Sequence, residues 1–263
     1  QRQMCIRDRY RIGLSLTGFP PAPISPVQSS SYPTVLFNAM VKPWTAFPIK
    51  GVIWYQGEAN VGRSEQYGDL FPALITDWRR QWRSDFPFYF VQLANFMESK
   101  KIQPDSEWAA LREAQTKALK LDQVGMAVTI DIGLADDIHP KNKQEVGRRL
   151  ALVALAGSYG KNVSSSAPVF QNYIIKGNKM ELDFGQKQDG FQIKGTTLKG
   201  FTIAGPDRVF YPAEAMVHDG KIILSSTEVP APLAARYGWA DNPDCNLYGE
   251  NGLPVAPFRT DCW

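Results

Sequence analysis

Between residues 34 and 160, three short apolar runs rich in β-branched and aromatic residues have the length of buried strands. They cover residues 51–55, 87–93 and 124–132. After each run, apolar residues recur every three or four positions, which predicts an amphipathic helix. These helices cover residues 67–83, 106–120 and 143–158. Because strands that alternate with helices form parallel sheets, the pattern predicts an α/β fold with three layers, α/β/α.

Residues 161–263 follow a different pattern, in which seven short segments alternate partly between apolar and polar positions. The segments cover residues 169–175, 179–184, 191–194, 198–204, 209–211, 213–218 and 221–225. Asn or Asp next to Gly separates several of them, which is typical of tight hairpins. We therefore predict a β-sandwich-like module over residues 161–263, with an irregular tail from Pro230.

Residues 1–33 show neither pattern. Residues 4–8 read Met-Cys-Ile-Arg-Asp and resemble the translation of an adapter used in DNA library preparation, so we interpret residues 1–9 as an adapter-like scar. Five prolines and a run of serines make residues 10–33 similar to a linker. We therefore expect the sequence to be the translation of a metagenomic fragment. We also expect its sheet to be incomplete, because typical sheets have roughly 5 to 6 strands. A short helix capped by Thr34 is predicted over residues 34–43.

Composition indicates a globular chain. Of its 263 residues, 44% are hydrophobic and 21% are charged. The net charge is +3, and residues 1–9 supply two of these charges through three arginines and one aspartate. The remaining charge gives no reason to expect nucleic acid as a partner. No apolar run approaches the roughly 20 residues of a membrane span, so we expect no membrane insertion.

The cysteines leave two interpretations open. Outside the scar only Cys245 and Cys262 remain, 17 positions apart. Either they form a disulfide in an exported protein or they stay as two free thiols. The sequence has no C-x-x-C motif and no His/Cys cluster, so we expect neither a metal nor another cofactor.

Polar residues follow the first predicted strand where it ends. Gln56-Gly57-Glu58 places an amide, a flexible residue and a carboxylate at the carboxyl end of that strand, which is where open α/β sheets bind ligands. Gly57 allows the chain to turn sharply there. A primary amide in this position can donate to a developing oxyanion. The alternative is a polar strand end whose amide only satisfies loop backbone.

The third predicted strand is followed by His139, one of only two histidines. Asp136 precedes it by three residues, so its carboxylate can bond Nδ1 and leave Nε2 free as a base. Asp137 is the alternative orienting carboxylate, but the three-residue spacing favours Asp136 because the loop can fold back to the ring. The other histidine, His218, precedes an Asp-Gly hairpin signal, and we expect it to face solvent.

Four sequence blocks together carry a family resemblance. WYQGEAN, FVQLANF, WAALREAQTKAL and DIHPKNK occur in order and are similar to the sialate O-acetylesterase family of SGNH-type serine hydrolases. The resemblance starts near Thr34, so it makes residues 34–160 the C-terminal part of an SGNH-hydrolase-like domain. Arg112, Glu113 and Gln115 match the family pattern. We expect them to form a solvated face with one buried ion pair rather than to contact substrate.

The resemblance implies a carbohydrate esterase that removes O-acetyl groups from sialic acid or a related acetylated sugar through a serine acyl-enzyme. It implies Gln56 in the oxyanion hole and His139 as the base, with Glu58 and Asn60 supporting the loop or the substrate. Its serine belongs to a G-Q-S-N-like motif that this sequence lacks. We therefore expect the nucleophile upstream and this chain by itself to be inactive. Ala59 stands where the family often has serine, which argues against an essential hydroxyl there.

Two other function classes stay open at this stage. One is a carbohydrate-binding or interaction module attached to a degenerate hydrolase, and the other is a non-catalytic interaction protein. A periplasmic or extracellular location follows from the resemblance alone. The particular acetylated sugar and the oligomeric state stay open as well.

Overall fold

The computed structural model describes residues 32–185 and 190–263, and the chain divides into two compact units, residues 1–48 and 49–263. The predicted scar and most of the predicted linker lie outside the described residues. The same holds for Asp189, one of the hairpin signals.

In the first unit, the α-helix predicted over residues 34–43 is replaced by two short turns, one wider and one tighter than an α-helix. A π-helical turn covers Phe37–Val41, and a 3₁₀ turn covers Lys42–Trp44. Thr34 does not cap them, because it adopts a left-handed φ of 72°. Pro43 has no N–H, so an α-helical ladder cannot continue through it.

The second unit begins with a parallel sheet of three strands: β1 (Val52–Trp54), β2 (Phe88–Val91) and β3 (Val124–Ala127). The strands lie in the order β1-β2-β3, and both neighbouring pairs are parallel. The predicted parallel sheet is thus confirmed. That this sheet is incomplete stays a prediction.

The third strand is shorter than predicted. It ends at Ala127 instead of residue 132, because side chains rather than a neighbouring strand take the next backbone groups. The Thr129 hydroxyl donates to the carbonyl of Gln92 at 2.6 Å, and Arg149 donates to the carbonyl of Val128 at 2.7 Å. The chain then turns, with the amide of Ile132 bonded back to Thr129.

Three helices pack on this sheet: α1 (Ser64–Trp82), α2 (Glu107–Thr116) and α3 (Lys143–Gly157). Phe88 and Phe90 of β2 share one hydrophobic cluster with buried residues of α1 and α2. Tyr89 points the other way, because side chains alternate along a strand, and its hydroxyl lies 2.7 Å from Ser158 Oγ just after α3. The three-layer description stays a prediction beyond these contacts.

The rest of the second unit is built from antiparallel strands. These are β4 (Asn172–Lys176), β5 (Lys179–Asp183), β6 (Phe191–Ile193), β7 (Phe201–Ala204), β8 (Phe210–Pro212), β9 (Glu214–His218), β10 (Lys221–Ser225), β11 (Ala234–Tyr237), β12 (Leu247–Gly249) and β13 (Phe258–Arg259). Two four-stranded sheets have the orders β4-β5-β10-β9 and β13-β11-β7-β8. Leu182 and Leu224 of the first sheet share a core with Ile203 and Tyr237 of the second.

The tail from Pro230 is not irregular as predicted, since it supplies β11, β12 and β13. Strand β11 lies between β13 and β7, and all four of its residues are buried. In its sequence, Ala-Ala-Arg-Tyr, only Tyr237 favours a strand strongly, and pairing with β7 and β13 supplies the rest. The predicted domain boundary at residues 160/161 stays a prediction.

Three further findings concern the described residues alone. No helix in residues 32–185 and 190–263 is long and apolar enough to cross a membrane. In the same part of the chain, no three His, Cys, Asp or Glu side chains are grouped as metal ligands. Cys245 and Cys262 are free thiols, and burial raises the pKa of Cys245 to about 12.

Candidate active site

Loops at the carboxyl ends of β1 and β3 line one cleft of about 370 Å³. Gln56 and Glu58 come from the loop after β1, and His139 comes from the loop after β3. Parallel strands end at a common edge of their sheet, which is why residues so distant in sequence meet here. The structure thus brings Gln56, Glu58 and His139 to one cleft, while their chemical roles stay predictions.

The Gln56 amide is held at both of its ends. Its Nε2 donates to Asn60 Oδ1 at 2.7 Å, and its Oε1 accepts from the Tyr67 hydroxyl at 3.2 Å. A primary amide has two N–H donors, so the bond to Asn60 leaves one donor for another acceptor. The Asn60 side chain therefore contacts the Gln56 amide directly, while its predicted role in supporting the loop or the substrate stays a prediction.

Gly57 is required where the chain leaves β1. It has a φ of 153°, a conformation that residues with a Cβ rarely adopt. A Cβ there would also lie 3.2 Å from the Gln115 amide nitrogen and 3.3 Å from the Leu93 side chain. Any residue with a Cβ would therefore be strained at this position.

Gln115 and Arg112 of α2 are buried, and the expected solvated face is wrong for both. Gln115 Nε2 donates to the Gln56 carbonyl at 3.3 Å, and its Oε1 accepts the Leu93 amide at 2.9 Å. Arg112 pairs with no carboxylate among the described residues and instead binds four backbone carbonyls. These belong to Leu93, Ala94, Ala240 and Asp241, at 2.7 to 2.9 Å.

Helical spacing could have identified these buried polar residues. Arg112 and Gln115 lie four and seven positions after the buried Trp108, which places them on the same stripe of α2. Burial lowers the pKa of Arg112 to about 9. Glu113 faces away from this stripe and forms a two-bonded ion pair with Arg259 at 2.9 Å. The one expected ion pair therefore involves Glu113 and is only partly buried.

The structure places Asp137, not Asp136, beside the His139 ring. Asp137 Oδ1 lies 3.5 Å from Nδ1 and accepts the backbone N–H of His139 at 2.9 Å. This is an Asx turn, in which a side chain two residues earlier caps the loop backbone, and it explains why the nearer aspartate reaches the ring. The expected contact from Asp136, which is exposed, is not among the contacts of the described residues. The imidazole itself is 84% exposed in its loop.

Charge at the cleft is mixed. Lys143, at the start of α3, lies with Nζ 4.8 Å from the centre of the Tyr55 ring. Burial, and secondarily the charge of Glu58, raises the pKa of Tyr55 to about 12. The Glu58 carboxylate forms no hydrogen bond among the described contacts, so the predicted ordering of the loop rests on Asn60 and Tyr67. Tyr67 was not identified from the sequence, where it marked only the start of a helix.

This arrangement supplies an amide donor and an imidazole, two of the groups that acyl transfer requires. No serine is among the described residues that line the cleft. The loop after β2 is joined to the histidine loop, since Asn95 Oδ1 accepts the Gly133 amide at 2.7 Å. All three strand-end loops therefore belong to one edge of the sheet.

Comparisons with known proteins show which family this chain resembles. A family profile described as carbohydrate esterase, sialic acid-specific acetylesterase, matches residues 23–156. The sialate O-acetylesterases of Homo sapiens and Rattus norvegicus are 32% and 29% identical, over 90% of this chain and 50% and 48% of theirs. A crystal structure of a carbohydrate acetylesterase from Xanthomonas citri is 46% identical with a TM-score of 0.82, covering 88% of this chain and 55% of that one.

The profile covers just over half of the chain, which places it in the class of carbohydrate esterases. Within that class, the chain belongs to the sialic acid-specific acetylesterase family. The family resemblance read from the sequence is confirmed. The chain spans about half the length of the curated relatives it matches.

Proposed function

We propose that this chain forms part of a carbohydrate esterase that removes O-acetyl groups from sialic acid or a related acetylated sugar. The observation that carries the proposal is the shared cleft of Gln56 and His139 in a member of an acetylesterase family. An exported protein, periplasmic or extracellular, is the location proposed with this function. Its relatives are about twice as long, and we place the serine nucleophile in the length that this chain does not span.

In the proposed reaction, His139 takes the proton from the serine hydroxyl, which is a weak nucleophile without a base. The serine oxygen attacks the acetyl carbonyl, and the carbonyl oxygen becomes an oxyanion. The second N–H of Gln56 Nε2 donates to this oxyanion, because the first N–H is bonded to Asn60. His139 then protonates the departing sugar oxygen, and water releases acetate by the same steps in the second half-reaction.

Asp136 is proposed to orient the imidazole, and Asp137 to shape the loop through its Asx turn. Asp136 is exposed and carries a carboxylate not committed to the loop backbone, so it can reach the ring when the site is assembled. Glu58 is proposed to add negative charge near the loop rather than to take part in proton transfer.

The test uses the chain joined to the upstream sequence of its own gene. Acetate release is measured on O-acetylated N-acetylneuraminic acid and on acetylated xylan oligosaccharides. We expect His139→Ala to lower kcat/KM by about 10³-fold or more, because the base acts as a unit with the serine. The chain of residues 1–263 alone should give no turnover.

His218→Ala is the matched control, since His218 is the other histidine and its side chain is 67% exposed in a hairpin. It should leave kcat/KM unchanged, and circular dichroism should show the same fold in both variants. Equal rates for His139→Ala and the unmodified protein would refute the role of His139. No acetate release from any substrate by the extended protein would favour a degenerate hydrolase that only binds carbohydrate.

A further inference from the structure

A second cleft, of about 420 Å³, lies beside the loop that follows β2 and against the sheet that contains β7. We call it the Trp239 groove; its walls include Lys100, Lys101, Lys199, Thr202 and Trp239. None of these residues lines the cleft of Gln56 and His139. The groove is therefore a separate site of the same compact unit.

The Trp239 ring rests on two guanidinium groups. The guanidinium carbons of Arg236 and Arg259 lie 5.1 and 4.9 Å from the ring centre. These arginines are directly paired across β11 and β13, so their side chains rise from the same face of the sheet. The same ring lines the groove.

Both guanidinium groups are fixed by carboxylates. Arg236 makes two bonds to Asp261, at 2.8 and 2.6 Å, and lies 3.9 Å from the centre of the Phe210 ring. Arg259 makes two bonds to Glu113, at 2.9 Å each. Bidentate arginine–carboxylate pairs of this kind have a defined geometry. The position of Trp239 is therefore set before any ligand arrives, which lowers the entropy cost of binding.

The polar wall of the groove is positively charged. Lys100, Lys101 and Lys199 line it together with a single aspartate, Asp244, whose carboxylate lies 2.9 Å from Lys199 Nζ. Within residues 32–185 and 190–263, neither Lys100 nor Lys101 forms an ion pair with a described acidic side chain. Their ammonium groups are available to an anionic ligand.

We propose that the Trp239 groove binds a carboxylate-bearing saccharide. A pyranose ring has a face of C–H groups that packs on an aromatic ring, and its carboxylates suit lysine ammonium groups. The choice of a sugar among anionic ligands rests on membership of a carbohydrate esterase family. It does not rest on the proposed esterase activity.

The test is isothermal titration calorimetry of the 263-residue chain with hexagalacturonic acid, and with its methyl ester as the uncharged counterpart. We expect the acid to bind and the ester to bind at least about tenfold more weakly, the factor that two exposed charge pairs supply. The double variant Lys100→Gln/Lys101→Gln should weaken binding of the acid by a similar factor. Lys120→Gln/Lys161→Gln removes the same charge from exposed positions outside the groove and should change nothing.

Trp239 is tested by two substitutions. Trp239→Phe keeps an aromatic face on the arginines and should retain most of the affinity, whereas Trp239→Ala should abolish binding. If circular dichroism shows that Trp239→Ala is unfolded, Lys100→Gln/Lys101→Gln and Trp239→Phe still test the proposal. His139→Ala should leave the affinity unchanged, so failure of the esterase proposal and failure of this one are distinguishable.

Four results would overturn the proposal. They are no binding of the acid at millimolar concentration, equal binding of acid and ester, equal loss with the control lysine pair, and equal affinity for a thymidine oligonucleotide of the same charge. The last result would identify a general polyanion site instead of a saccharide site.

Discussion

Both ends of the Gln56 amide are hydrogen-bonded, one to Asn60 of the same loop and the other to Tyr67 of α1. Burial raises the pKa of Tyr67 to about 12, so near neutral pH its hydroxyl keeps the proton that it donates to Gln56 Oε1. This fixes which end of the amide carries the N–H groups. A fixed donor is what oxyanion stabilisation requires, because it needs no reorganisation during the reaction.

Asp136 and Asp137 are the two candidates for the carboxylate that orients the His139 ring. In the extended protein, we expect Asp136→Asn to lower kcat/KM more than Asp137→Asn does. Asn at position 137 keeps the oxygen that accepts the His139 backbone N–H, so the Asx turn survives. Asn at position 136 loses the charge that would stabilise the imidazolium, which can cost up to about 10⁴-fold.

The measurement is kcat/KM of both variants on one acetyl ester, with circular dichroism as the folding control. A larger loss for Asp137→Asn would assign the orienting role to Asp137, whose carboxylate lies 3.5 Å from Nδ1 in the structure. The three-residue spacing argument would then be wrong.

At the scale of elements, α3 is fixed to the loop after β3 by Arg149. Its guanidinium is 5% exposed and binds Asp131 at 2.6 and 3.0 Å, and Glu145 at 2.7 Å. The Tyr248 hydroxyl donates to the same Asp131 carboxylate at 3.1 Å. A buried charge cluster therefore joins α3, the β3 loop and β12.

Removing this arginine should be costly because it leaves Asp131 buried without its cation. We expect Arg149→Met to lower the free energy of unfolding by about 3 kcal/mol. The neighbouring Arg148→Met should cost about 1 kcal/mol or less, because that side chain is half exposed. Urea denaturation followed by circular dichroism measures both. Equal losses would mean that burial of the pair is not what stabilises α3.

Glu145 should make stability depend on pH. Its pKa is lowered to about 2, chiefly by the hydrogen bond from Arg148; burial opposes this shift, and Arg149 adds to it. A lowered pKa in the folded state means that the stabilisation is complete above the unfolded pKa and is lost as pH falls through the folded value. The loss should therefore occur between about pH 5 and pH 2 and amount to about 1 kcal/mol, because solvent screens the exposed Arg148 partner.

The check is urea denaturation at several pH values for the unmodified chain and for Glu145→Gln. The difference in unfolding free energy between them should shrink as the pH falls across this window. A constant difference would show that the ion pairs of Glu145 contribute nothing that titrates.

For the whole second unit, Arg112 joins the loop after β2 to the tail that follows β11. One guanidinium binds carbonyls of Leu93 and Ala94 on one side and of Ala240 and Asp241 on the other. The Asp241 carboxylate also accepts from Ser106, the capping residue of α2, at 2.6 Å. The hydrogen bonds of buried Arg112 thus connect the parallel-sheet part of the unit with the antiparallel part.

Lysine cannot reproduce this planar set of donors. We expect Arg112→Lys to lower the free energy of unfolding by about 3 kcal/mol, since buried carbonyls lose their partners. Arg80→Lys, at an exposed position of α1, is the control and should cost almost nothing. Urea unfolding of each protein, followed by tryptophan fluorescence and by far-ultraviolet circular dichroism, should give the same midpoint with both probes. Two separate midpoints would instead support independent domains on either side of residues 160/161.

The sequence by itself determined the local elements and the edge of the sheet that carries the candidate site. Strands β1 and β2, helices α1 to α3 and the polar strand end at Gln56 follow from periodicity and residue type, which act over a few neighbouring residues. The seven short segments after residue 160 were predictable for the same reason. The family resemblance was carried by short blocks of the same local kind.

Tertiary structure decided which residues are partners. The tail strand β11 exists because β7 and β13 flank it, and Arg112 is buried because carbonyls from two distant segments converge on it. The ring neighbour of His139 depended on the path of a loop, where an Asx turn placed Asp137 beside the ring. Such contacts join residues up to 146 positions apart, and local periodicity carries no information about partners at that distance.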